Sequence, residues 1–407
     1  MKNVVIIGAG AAGLMSAAES AKRGNRTTII EKNSRPARKV MITGKGRCNV
    51  TNACFDLDDL IGNVVTNPRF LYSAFSSFMP YDTIALVEEM GVPTKIERGN
   101  RVFPVSDKAV DIVDALVKNC TQSGARIVHG TARAFRLEGE RISAVILDDG
   151  SEITCDAVAI CTGGKSYTKT GSTGDGYALA KSVGHSVTPL KPSLVPLVCS
   201  NYFIPALQGL SLKNVAVKVL KNGGEVYRDF GEMLFTHFGV SGPVILSASS
   251  HMKEPENGGY TLTIDLKPAL TFEQLDKRLQ RDFAANNNKD FINSLSKLLP
   301  RKLIPVIVRL SGIEPSAKCN AITRVERHAL VTLLKEFTLD VTGFRPLEEA
   351  IITSGGVNVK EIDPKTMRSK LVPNLYFAGE VIDVDAYTGG FNLQIAFSTG
   401  YLCGNNI

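Results

Sequence analysis

The first 31 residues constrain the fold more than any other stretch of this chain. Val4-Val5-Ile6-Ile7 is an apolar run that reads as a buried strand, and Gly8-Ala9-Gly10-Ala11-Ala12-Gly13 follows it as a glycine turn. A small-residue helix over residues 14–23 and a second strand, Thr27-Thr28-Ile29-Ile30, lead to Glu31 and Lys32. Together they form a complete βαβ unit. Gly8 makes the tight turn, Gly10 lets the backbone approach a pyrophosphate, and Gly13 lets the helix pack close on the strand. The helix start, with Ala12 in its first turn, offers free N–H groups and partial positive charge to that pyrophosphate. Glu31 stands at the end of the second strand, where a carboxylate accepts both hydroxyls of an adenosine ribose and repels a 2′-phosphate. The unit points to a dinucleotide cofactor.

A chain of 407 residues fits two or three domains. No stretch approaches the ~18 apolar residues of a membrane span, so the expectation is a cytoplasmic protein without a membrane partner. Eight cysteines are scattered without a C-x-x-C pair, which argues against a zinc site, any other metal, or a disulfide framework. The net charge of +7 is spread along the chain and lacks interleaved aromatics. It reads as a solvated surface, with no nucleic acid expected as partner.

After Glu31 comes Arg38-Lys39-Val40-Met41-Ile42-Thr43-Gly44-Lys45-Gly46-Arg47-Cys48-Asn49-Val50-Thr51-Asn52. It is too polar for a buried element and dense in donors, as a loop that grips a phosphate and a heterocycle must be. The strand-GAGAAG-helix-Glu unit followed by RKVMITGKGRCNVTN resembles the bacterial flavoproteins known as BaiN-like or YhiN-like NAD(P)/FAD-dependent oxidoreductases, the HI0933-like or aminoacetone oxidase family. The resemblance implies non-covalent FAD, with residues 44–52 along its pyrophosphate and isoalloxazine.

Further along, residues 67–90 carry an amphipathic helical pattern, and 126–129 read as the next parallel strand. Residues 132–137 and 143–147 alternate like a hairpin closed near Asp149-Gly150. By resemblance, Ala132 at its start supports the adenine edge. The strand 157–161 delivers Thr162-Gly163-Gly164 at its carboxyl end, where doubly wound sheets place ligands. Tyr167 opens a Gly, Ser and Thr-rich stretch up to Gly176 that is free to wrap a ligand. Past Pro189, Pro192 and Pro196 the pattern turns to strands, and residues 231–243 contain an FTHFGVSGP motif that also resembles the family. His237 within it and Tyr167 are the acid/base candidates. Residues 271–313 read as short basic helices. Leu375-Tyr376-Phe377-Ala378-Gly379-Glu380, then Asp383, and Gly389-Gly390-Phe391-Asn392-Leu393-Gln394 opening a helix, read as the groups at the ribityl and isoalloxazine end.

The expected architecture is α/β: a discontinuous Rossmann-like FAD domain of the two-dinucleotide-binding-domain flavoprotein type (residues 1–190 and 353–407), an inserted β-rich, barrel-like domain (191–270 and 323–352), and a small helical insert (271–322). The expected function is an FAD-dependent oxidoreductase passing hydride through flavin N5 between a small organic substrate and NAD(P)H or oxygen. No second G-x-G-x-x-G unit exists, so a nicotinamide would come as a co-substrate. Within the family this covers both reduction of steroid or bile-acid C=C bonds and oxidation of small amines. Two alternatives stand beside it: a flavin-dependent RNA-modifying enzyme, and a non-catalytic FAD-holding interaction protein. The oligomeric state is open.

Overall fold

Apolar side chains on both faces of a strand demand cover on both sides, and this sets the core of the N-terminal region. A computed structural model describes residues 1–407 and places β1 (Asn3–Ile7) at the centre of a five-stranded parallel sheet. On one side of it lie β2 (Arg26–Glu31) and β3 (Arg126–His129), and on the other β4 (Ala157–Ile160) and β5 (Leu375–Phe377), in the order β5-β4-β1-β2-β3. Ile6, Ile29, Ile30, Ile160 and Phe377 are almost wholly buried, each stabilising the fold by ~1.5–3 kcal/mol relative to exposure. The N-terminal strand is therefore central, and Leu375–Phe377, more than 360 residues further along, completes the sheet.

Helix α1 (Ala11–Lys22) connects β1 to β2, and the terminal helix α2 (Phe391–Asn406) packs against it. The contact is close because the facing residues are small. A Cβ on Gly400 would come within 2.6 Å of the Ala12 carbonyl oxygen, and Ser16 Oγ donates to the Gly400 carbonyl at 3.0 Å.

Some elements depart from the sequence pattern. The helical pattern at 67–90 is broken into a 3-10 turn (Pro68–Leu71) and helices Tyr72–Ser77 and Pro80–Glu89. Pro80 causes the break, since it starts a helix readily and cannot continue one. The hairpin Ala132–Glu138/Arg141–Leu147 closes at residues 139 and 140, and Asp149-Gly150 turns instead into a third strand, Glu152–Thr154.

The chain divides into one unit of Met1–Ser193 with Pro346–Ile407 and a second of Leu194–Arg345. The second unit is a closed six-stranded barrel in the order Leu197–Cys199, Gly239–Ser241, Gly224–Phe235, Ser211–Lys221, Tyr260–Asp265 and Phe337–Phe344. Alternate residues such as Val215, Val217, Val219, Leu262 and Ile264 point inward and fill it. Helices Phe272–Ala284, Ile304–Ser311 and Arg324–Lys335 bury Leu275, Leu279, Ile307 and Leu330 in the same hydrophobic cluster as the barrel. The helical segment has no separate core.

Candidate functional site

The carboxyl ends of β1, β2, β4 and β5 converge on one cavity in the first unit. Gly8 takes φ +101°, and a Cβ there would lie 2.8 Å from the Cys161 carbonyl oxygen. A Cβ on Gly13 would overlap the Gly8 carbonyl. Both glycines are required by the protein itself. Gly10 is different: its backbone is extended (φ −79°, ψ −173°) and a Cβ would meet nothing nearer than the Cys161 oxygen at 4.0 Å. It forms the cavity floor, so only an occupant of the cavity calls for the missing side chain.

Glu31 is buried, with Oε2 accepting from the Ala9 N–H at 2.9 Å and Oε1 accepting from the Asn33 N–H and Nδ2, both at 2.7 Å. These donors fix the carboxylate at the cavity edge and leave it further lone pairs. Lys32 and Asn33 line the same end, with Ala132 across from them. Over this end lies Thr170–Asp175, tied down by Lys32 Nζ to Asp175 at 2.5 Å, by Lys32 Nζ to Thr173 Oγ1, and by Asn33 Nδ2 to the Thr170 carbonyl at 3.3 Å. It forms a strap.

The middle of the cavity holds charge. Lys39 Nζ donates to Glu380 Oε2 at 2.7 Å and to Ser166 Oγ at 2.7 Å, and the Thr353 N–H donates to Glu380 Oε1 at 2.9 Å. Arg38, Thr43, Gly163 and Gly379 line the walls, as does Thr162. Thr162 Oγ1 is one of only two buried side-chain polar atoms without a partner, and it is turned against Gly176, where a Cβ would come within 2.0 Å of it. At the far end Asn392 and Leu393 bring the first turn of α2 to the wall. Ala12 also lines the cavity.

Other residues singled out from sequence lie away from it. Arg47 pairs with Glu97 (2.5 Å) and Asp107 (2.6 Å) and stacks 4.1 Å over Phe103. These contacts and the left-handed Gly44 curl its loop away, so that of residues 43–52 only Thr43 reaches the cavity. Gly44, Gly46 and Asn49 make that curl, and burial pushes the Cys48 thiol up to about 12. Thr51 donates to Gln394 Oε1 at 2.6 Å, and Gln394 Nε2 donates to the Phe78 carbonyl at 3.1 Å. Gln394 is thus a satisfied core group on the opposite side of α2 from the cavity. Asn52 donates to the carbonyls of Gly99 and Gly389, Gly390 packs on Thr51, and Gly164 packs on Thr353 and Glu380. Phe391 is buried in the core. Asp383 is off the wall, its carboxyl raised by burial. Tyr167 is about a third exposed at the base of the strap, and neither it nor His237, which is exposed in the second unit, lines the cavity.

Sequence reasoning missed Asn33, Ala37 and Val40, and Ile351 and Ile352, all on the wall. Asn33, an amide two residues past the acid, was a readable signal. Ile351 and Ile352 reach the site through the short pairing of Ile352–Ser354 with Lys191–Ser193, which no local pattern announces.

The chain matches the family described as "HI0933-like protein Rossmann domain" over residues 2–406. It is 31% identical over 412 residues to the ribosomal RNA dihydrouridine synthase of Escherichia coli K12, covering 100% of this chain and 98% of that protein. It is 30% identical over 411 residues to the 3-dehydro-bile acid delta(4,6)-reductase of Clostridium scindens, covering 99% and 98%. In fold it is similar to 3-ketosteroid delta1-dehydrogenase from Sterolibacterium denitrificans, with a TM-score of 0.54 at 11% identity, covering 99% of this chain and 98% of that one. It is also similar to a flavocytochrome c3 fumarate reductase, with a TM-score of 0.53 at 15% identity, covering 100% and 78%.

Proposed function

This chain belongs to the HI0933-like protein family, and from that footing we propose that it is an FAD-dependent reductase acting on a carbon–carbon double bond conjugated to a carbonyl, with NAD(P)H as donor. The observation that carries the cofactor is Gly10, a glycine that neither backbone strain nor crowding explains and that floors the cavity. The N–H groups at the start of α1 would hold the pyrophosphate, Glu31 the adenosine ribose, and the Lys39–Glu380 pair the ribityl segment. When bound, FAD supplies the hydride carrier at N5. The first turn of α2 directs its free N–H groups and partial positive charge at the redox end, favouring the anionic reduced form. Val384, Ile395 and Ala396 make that end apolar and exclude water.

The substrate class is supported by what the names of the two full-length relatives share. Forming a dihydrouridine and reducing a delta(4,6) bile acid both add hydrogen across a double bond in a ring. The test is anaerobic mixing of the FAD-loaded protein with NADH or NADPH, then with a steroid dienone. Bleaching followed by recovery of the yellow colour on adding the dienone is expected. Recovery with oxygen alone would sink the reductase reading in favour of an oxidase.

A second reading, reduction of a uracil within RNA, is favoured by one observation. The Leu194–Arg345 unit holds 19 Lys and Arg against 14 Asp and Glu, whereas the larger unit holds 28 against 26. Most of the excess positive charge lies on the smaller unit.

A further inference from the structure

We propose that the face of the second unit built from residues 202–209 and 297–309 is a docking surface for RNA. This rests on the second reading above. Residues 194–224 and 291–313 contain no Asp or Glu, yet they carry Lys213, Lys218, Lys221, Lys297, Arg301, Lys302 and Arg309. The fold brings the two stretches together. Lys302 Nζ donates to the Gln208 carbonyl at 2.8 Å, and the Arg309 guanidinium lies 4.5 Å over the Tyr202 ring.

None of Lys297, Arg301, Lys302 and Arg309 is paired with a carboxylate, and the stretches that carry them contain no acid. Elsewhere in the unit five cations are paired with acids: Arg228 with Glu225, Arg278 with Asp282, Lys318 with Asp290, Arg327 with Asp276, and Lys335 with Asp265. On this face a carbonyl holds Lys302 and an aromatic ring holds Arg309, and neither contact neutralises the charge. Asp340, the acid next to this face, is engaged by Asn201 at 3.2 Å. A face that is merely solvated mixes the two signs.

Tyr202 is 59% exposed and stands edge-on to buried Phe203 at 5.4 Å. Fixing a large aromatic in water with an arginine plane on it builds a platform on which unpaired bases stack, while flanking cations meet phosphates. A stacked ring flanked by unopposed charge fits single-stranded or looped RNA better than it fits a lipid surface, which would need a broad apolar face.

The test uses the full-length FAD-loaded protein and a fluorescein-labelled RNA hairpin with a uridine-rich loop, titrated across a salt series. If Lys297, Arg301, Lys302 and Arg309 all meet phosphates, the slope of log K against log salt is about −3, at ~0.7 per contact. Lys297→Gln with Arg301→Gln, which breaks no side-chain bond, and Lys302→Gln with Arg309→Gln should each flatten it by about 1.4. Bleaching by NAD(P)H should stay unchanged in both. Equal RNA binding by wild type and both variants overturns the surface, as does displacement of the RNA by anionic vesicles. Such a result leaves the RNA reading standing if the protein still converts uracil in the hairpin. Absence of both binding and conversion, with dienone reduction intact, removes the RNA reading and the surface together.

Discussion

Gly10 and Gly13 lie three residues apart in one turn, and the structure assigns them opposite consequences when each is changed to alanine. At Gly10 the backbone is in a region open to any residue, and the added methyl points into the cavity with 4.0 Å of clearance. Relief of glycine's unfolded-state entropy favours the substitution by ~0.4–1 kcal/mol, and alanine's poorer performance as a helix N-cap offsets it by a few tenths of a kcal/mol or more. The flavin-free variant should therefore melt within a degree or two of wild type. At Gly13 the methyl overlaps the Gly8 carbonyl, and forcing atoms into a packed site costs about 1–3 kcal/mol, here at the upper end because backbone must move. Cofactor binding reverses the order of interest. A methyl on the cavity floor displaces the pyrophosphate from helix N–H groups, and a tenfold or greater loss of FAD affinity, about 1.4 kcal/mol or more, is expected for Gly10→Ala. Thermal melts of stripped protein and FAD titration by flavin fluorescence separate the two. If stripped Gly10→Ala melted as low as Gly13→Ala, or bound FAD as tightly as wild type, the reasoning would fail.

Two further outcomes follow from the site. Lys32→Met frees the Thr170–Asp175 strap from Asp175 and Thr173; because a partly exposed pair contributes at most about 1 kcal/mol, flavin release should quicken up to roughly fivefold with little change in melting temperature. Recovery of free-flavin fluorescence after dilution reads this rate, and an unchanged rate counts against the strap. Asp385 is buried and accepts from Ser193 at 2.9 Å and Ser354 at 3.2 Å, and burial raises its carboxyl above 3.8. With the folded value raised, its contribution is complete below the unfolded value and is lost as pH rises through the folded one. Asp385→Asn removes that loss, so its melting temperature should gain on wild type as pH rises above the ordinary carboxylate range, and a constant gap would refute the assignment.

What was legible in the sequence is what local pattern controls. The βαβ unit, the strand ending at Thr162-Gly163 and the strand ending at Gly379-Glu380 announce themselves by apolar runs that stop at glycine, and all reach the cavity. The loop at 43–52 was donor-rich for another reason: Arg47 is held by Glu97 and Asp107, acids some fifty residues away that no local reading pairs with it. Gln394 sits on a helix whose first turn does line the cavity, and only the facing residues Thr51, Thr83 and Phe78 reveal which side it takes. Strand periodicity found the barrel, while closure of the sheet between Leu197–Cys199 and Phe337–Phe344 depends on pairing across most of the unit.

The order of strands in the parallel sheet also sets a timetable. β1 waits in the middle for β5, and α1 waits for α2, through nearly the whole length of the chain. During synthesis the turn that would cradle the pyrophosphate emerges long before residues 378–396, which line the same cavity. The barrel unit, whose strands and core are its own, can fold in the interval. A flavin would consequently be enclosed only once Phe391–Asn406 has packed on α1, since that helix supplies part of the cavity wall.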